Sequence, residues 1–188
     1  MTFLYLGIIL FAGPHLFSVL LPGARDALKT QLGINVWKGI YSVVSLIGLG
    51  LMIRGFMLSR SGPLAADQLY YLGSWTKHAA MLLVLLAFVA IGAAHGKGHL
   101  KLWLRHPLSI GIALWSVAHL LANGKRTDVY MFGTFLVIAA LDIVFSKRRP
   151  THAPRLRSDV IAVVLGVVLY LIFLLGFHPY VLNLPVVG

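Results

Sequence analysis

The sequence contains neither cysteine nor glutamate. Without thiols there can be no disulfide, iron–sulfur cluster, zinc–thiolate site or cysteine nucleophile. Without glutamate, glutamate-based metalloprotease and paired-glutamate hydrolase chemistry is excluded as well. The acidic residues are Asp26, Asp67, Asp128, Asp142 and Asp159, and charged residues of both signs make up only 11% of the 188 positions. Apolar residues fill the rest: 59% of the chain is hydrophobic and the mean hydropathy is +0.89. Such a composition rules out an ordinary water-facing surface and points to a membrane protein.

A membrane-crossing helix needs about 20 mostly apolar residues to traverse a hydrocarbon core of about 30 Å. Six stretches meet that length: Thr2 to Leu21, Val36 to Leu58, Ser74 to Ala94, Leu102 to Ala122, Asp128 to Phe145 and Asp159 to Phe177. Short polar connectors separate them. The predicted fold is therefore all-α, a polytopic membrane protein with a six-transmembrane-helix bundle, forming one integral membrane domain over residues 1–188. The first stretch lacks a basic leader, and Leu21-Pro22-Gly23-Ala24-Arg25 is a poor cleavage site, so it is expected to remain as a span rather than act as a signal peptide.

Sixteen Lys and Arg residues give a formal charge of +11. In a soluble domain this would suggest nucleic acid, but here topology accounts for it, and no nucleic-acid partner is expected. One side of the predicted membrane holds Arg25, Lys29, Lys38, Lys97, Lys101, Arg105, Lys147, Arg148, Arg149, Arg155 and Arg157; the other holds Arg54, Arg60, Lys77, Lys125 and Arg126. Basic residues accumulate on the cytoplasmic side. The expected location is a bacterial cytoplasmic (inner) membrane, crossed several times, with both chain termini outside the cytoplasm. The basic segment from Lys147 to Arg157 is expected to lie against anionic lipid headgroups, at about 1 kcal/mol for each charge.

Eight histidines are the groups best able to ligate metal or carry protons near neutral pH. His15, His78 and His119 fall within predicted spans, whereas His95, His99, His106, His152 and His178 sit at or beyond span ends. A single intramembrane His commonly serves as an interhelical hydrogen-bond partner, but three in one small bundle suggest a cofactor or a proton route. Haem held between two imidazoles suits a helical bundle, and it would be b-type because covalent attachment requires cysteine. At about 1.5 Å rise per residue, His15 and His119 differ in depth by roughly 15 Å in straight spans, while His78 matches the depth of His119. His119, His15 and His78 are the candidate cofactor ligands, with His119 and His15 as haem-iron ligands and His78 as the alternative. On span two, Ser42, Ser45 and Gly48 recur at three-residue spacing and mark a face for close helix packing.

The segment from Arg105-His106-Pro107 through Trp115-Ser116-Val117-Ala118-His119-Leu120-Leu121-Ala122-Asn123-Gly124 resembles the NnrU family of bacterial membrane proteins. The likeness extends to Gly13-Pro14-His15-Leu16-Phe17-Ser18, to Trp37-Lys38-Gly39-Ile40-Tyr41-Ser42 and to Phe177-His178-Pro179-Tyr180. The resemblance implies an association with denitrification, that is, with nitrite and nitric oxide reduction, and respiratory nitrogen-oxide enzymes as partners. A related group, the 15-cis-zeta-carotene isomerases, are haem b enzymes, and the resemblance matches their axial histidines to His15 and His119. Where the isomerase has a cysteine implicated in switching haem ligation, this chain has Ser116, and a hydroxyl is a poor iron ligand.

Three functions are consistent with these readings. The first is a haem-binding protein of nitrogen-oxide respiration. The second is a haem-dependent cis-trans isomerase of a carotenoid-like polyene, in which the cofactor supplies the chemistry and the protein the orientation. The third is a cofactor-free membrane assembly or transport protein whose histidines hold helices together or carry protons.

Overall fold

The computed structural model describes residues 1–61, 66–147 and 150–181. Arg148 and Arg149 of the basic segment therefore lie outside the described residues. The elements in chain order are α1 (Thr2–Leu20), α2 (Pro22–Leu32), α3 (Ile34–Leu58), α4 (Trp75–Ala93), α5 (His99–Leu104), α6 (Pro107–Ala122), α7 (Arg126–Phe145) and α8 (Leu156–Leu171). A π-helix, Ile172–Val181, continues α8. Among the described residues, α1, α3, α4, α7 and the α8 continuation to Tyr180 are long and apolar enough to cross a membrane, and α6 is a shorter apolar helix. The chain is a helical, multi-pass membrane protein.

Two departures from the sequence expectation have local causes. The predicted fourth span begins at Pro107 rather than Leu102 because the chain breaks before the proline. Arg105 adopts φ 59, His106 donates its backbone N–H to Leu104 O, and Pro107 opens a new helix where its missing donor costs nothing. The 16 residues of α6 then extend only about 24 Å. The connector after α1 is also a helix in its own right. α2 starts with Pro22 in its first turn and carries Arg25, Asp26 and Lys29 on an otherwise modestly apolar segment. Asp26 accepts hydrogen bonds from Arg25 Nε (2.8 Å) and Lys29 Nζ (3.2 Å), and these two cations, Arg25 first, hold its carboxyl at about 2.

The chain divides into two compact units. The first comprises residues 1–73 and 123–146. There α1 packs lengthwise on α3 and also contacts α7, while α2 folds against α1 and α3. Water is not what drives helices together in a bilayer, so close backbone approach and dispersion must do so. Gly48 of α3 shows how: a Cβ there would collide with the backbone nitrogen of Phe11 on α1. Ser45 and Gly48 are buried as the small-residue spacing predicted, whereas Ser42 is exposed. Leu4, Met52, Phe56, Met131 and Phe132 are buried with them, and Phe56 meets Phe132 edge-on at 6.2 Å.

A polar knot joins the end of α3 to the start of α7 within this unit. Asp128, 1% exposed, receives Arg60 Nη2 at 3.4 Å and the backbone N–H of Lys125 at 3.3 Å, so the carboxylate both pairs a charge and caps α7. Arg60 also lies over the Phe56 ring at 4.5 Å. Arg126 Nε donates to Asp67 at 2.7 Å, and Gly124 O accepts the backbone N–H groups of Leu69 and Tyr70.

The second unit comprises residues 74–122 and 147–188. α4 lies at its centre and packs on both α6 and α8, with α5 touching all three. Apart from Phe88, its buried hydrophobic residues among those described are alanines, with Ala80, Ala87, Ala90, Ala93, Ala118 and Ala162 all below 7% exposed. Small side chains let these helices approach closely. Large residues point outward instead: Leu82, Val163, Leu165 and Leu175 are all exposed, as expected of faces that meet lipid.

Candidate functional site

The three histidines singled out from the sequence occupy different environments. His15 lies in the last third of α1, half-buried, in the first unit. Its Nδ1 donates to Phe11 O, one turn back, at 2.7 Å. The ring stacks on Phe11 with centroids 4.4 Å apart and leans on Tyr41 of α3 at 5.2 Å. Beside it, Gly13, Pro14, Phe17, Leu28, Trp37, Ile40, Tyr41 and Val44 line an apolar groove of about 320 Å³ formed by α1, α2 and α3.

His119 lies near the end of α6 in the second unit, half-buried. Its Nδ1 donates to Trp115 O at 2.9 Å, and the Trp115 ring lies 4.6 Å away. Ser116 on the same helix is fully buried and donates Oγ to Ile112 O at 2.8 Å. Its hydroxyl is thus tied to the backbone of its own helix. His78 is on the first turn of α4 and exposed.

His178 stands beside His119, although the sequence placed it at or beyond a span end, outside the candidate ligands. Its ring centroid lies 6.3 Å from that of His119 with the planes 24° apart. Its Nδ1 donates to Phe173 O, five residues back, at 2.7 Å. That interval is the π-helical one, so the helix type places the ring. Phe173 is anchored in turn against Phe88 of α4 at 5.2 Å. No hydrophobic periodicity encodes this arrangement; the Phe-His-Pro-Tyr motif was the one available signal.

His15, His119 and His178 share one trait. Each donates Nδ1–H to a carbonyl of its own helix, and a neutral imidazole with hydrogen on Nδ1 carries its lone pair on Nε2. Metal-ligating histidines use this arrangement, in which a backbone carbonyl fixes the tautomer and the ring orientation. Among the described residues no group of three or more His, Cys, Asp or Glu gathers to hold a bare metal ion. A two-imidazole donor set suits instead a metal whose remaining ligands come from its own macrocycle, as in haem.

Two other histidines take part in a structural cluster of the second unit. Asp159 of α8 accepts the backbone N–H groups of His99 and Leu100 at 2.9 and 3.0 Å and His99 Nδ1 at 2.8 Å. His152 Nε2 donates to Gly98 O at 3.2 Å, and Arg155 N donates to Lys97 O. Gly98 is required at its position because a side chain there would overlap the Asp159 carboxylate.

Several apolar helices of spanning length, with imidazoles seated along them, define a multi-pass helical membrane protein whose available chemistry is that of histidine. The family model described as NnrU protein matches residues 3–186, nearly the whole chain, and the protein belongs to the NnrU family. Comparisons with curated proteins and with solved structures each gave no match.

Proposed function

We propose that this NnrU-family membrane protein binds haem b through intramembrane histidine and serves nitrite and nitric oxide reduction, alongside respiratory nitrogen-oxide enzymes. The observation that carries the reading is the setting of His119. It sits in an apolar helix with Nδ1–H committed to Trp115 O, which directs ligand character to Nε2. Bound haem would supply one-electron and nitric-oxide chemistry. The chain's own part is to fix the imidazole tautomer, to keep water away with the apolar helix faces and to orient the ring against Trp115. Exposed Lys147, Arg155 and Arg157 would seat the second unit against anionic headgroups.

The test is an absorption spectrum of the protein purified in mild detergent after haem supplementation. A Soret band is expected in the parent chain and in His152→Ala, whose ring bonds the Gly98 carbonyl, and is expected to vanish in His119→Ala. A colourless, fully helical parent protein would overturn the reading.

One observation favours the polyene isomerase as a second reading. The groove beside His15 is almost wholly apolar in its lining and is built from three helices of the first unit. It suits an unsubstituted hydrocarbon better than a nitrogen oxide. Incubation of the reduced protein with a poly-cis carotenoid should yield a changed isomer composition by chromatography; an unchanged composition would dismiss this reading.

A further inference from the structure

We infer that His178, on the π-helical end of α8, is the second axial ligand of the metal that His119 holds. The inference rests on the haem reading above and adds a residue to its site. His119 and His178 belong to the same compact unit.

Ring separation narrows the ways two imidazoles can meet. A direct N–H···N hydrogen bond of about 2.9 Å would place the ring centres roughly 5 Å apart. Offset stacking spans roughly 4.5–7 Å between ring centres. Two nitrogens each about 2.0 Å from one shared metal ion place the ring centres about 6 Å apart. The observed separation is 6.3 Å, with the planes only 24° from parallel. A direct hydrogen bond does not fit that spacing; offset stacking and the metal-bridged arrangement both do, and the assignment to a metal turns on the ring nitrogens.

The tautomers agree with that assignment. Both rings donate Nδ1–H to a carbonyl of their own helix, Trp115 O and Phe173 O, so both present Nε2 as the lone-pair nitrogen. Their anchoring differs in a telling way. His119 uses the ordinary four-residue interval, and His178 a five-residue interval made available by the π-helix, an arrangement that recurs at functional sites. Phe173 holds that end of the chain on α4 through Phe88. With two imidazoles and no third protein ligand gathered among the described residues, the remaining coordination must come from the ligand, which selects a metalloporphyrin over a bare ion.

The test compares electron paramagnetic resonance and absorption spectra of the ferric, haem-loaded protein. The parent chain is expected to be low-spin with two nitrogen ligands. In His178→Ala the signal should become high-spin, and added imidazole should restore the low-spin form. His178→Met keeps a side chain of ligating ability and should shift the signal to that of a His–Met pair. A His178→Ala protein that remains low-spin, or a His178→Met protein with the parent spectrum, would overturn the assignment and leave haem binding intact. A parent chain that takes up no haem would sink the haem reading itself.

Discussion

Asp159 caps a helix to which it does not belong: from α8 it accepts the backbone N–H and the ring Nδ1 of His99, at 2.9 and 2.8 Å, at the start of α5. The six residues of α5 are too few to form a stable helix alone. Its first donors would be unpaired without the borrowed carboxylate, whose negative charge also suits a helix N-terminus. Replacing Asp159 by Ala should therefore lower stability by about 1–2 kcal/mol, the usual range for a lost cap. Thermal unfolding in detergent would register the loss. Amide exchange should accelerate at His99 and Leu100 first, and unchanged exchange there would contradict the capping role.

Close approach of α1 and α3 makes the second prediction. The missing side chain of Gly48 is filled by the Phe11 backbone, which cannot move aside as a flexible side chain could. Gly48→Leu should destabilise the first unit by about 3 kcal/mol, at the upper end of ordinary overpacking. Gly13, where a Cβ meets nothing within 4 Å, should accept Ala with little change. The two melting temperatures, measured side by side, test the contrast.

Membrane orientation makes the third. Because the chain has no cysteine, any introduced thiol is the sole target for a maleimide. Thr30 on α2 and Tyr71 before α4 are both exposed, and the distribution of basic residues assigns them to opposite sides. Tyr71→Cys should react with an impermeant maleimide in intact cells, and Thr30→Cys only after permeabilisation. The reverse labelling pattern would invert the topology.

The long helices were legible because their signal is strong and local. Runs of apolar residues located α1, α3, α4 and α7 to within a few residues. The start of α6 was not, because Leu102, Trp103 and Leu104 continue the hydrophobic run while His106-Pro107 breaks the backbone beneath it. α2 escaped notice because its 11 residues are amphipathic, and hydropathy cannot distinguish such a segment from a connector. At the candidate site, His119 was legible from its apolar surroundings. His178 was not, since its neighbour is 59 positions away and is reached only when α4 gathers α6 and α8 around itself.

The π-helical ending of α8 makes chain length itself part of the design. Residues there come back to one side on a beat of five, as Phe173 and His178 do, a rhythm sustained by a local surplus of one residue per turn. Deleting a single position from the ordinary α-helical turns of α8, which hold no such surplus to give up, would swing the imidazole about 100° around the axis. What matters in this tail is thus its count of residues as much as their identity.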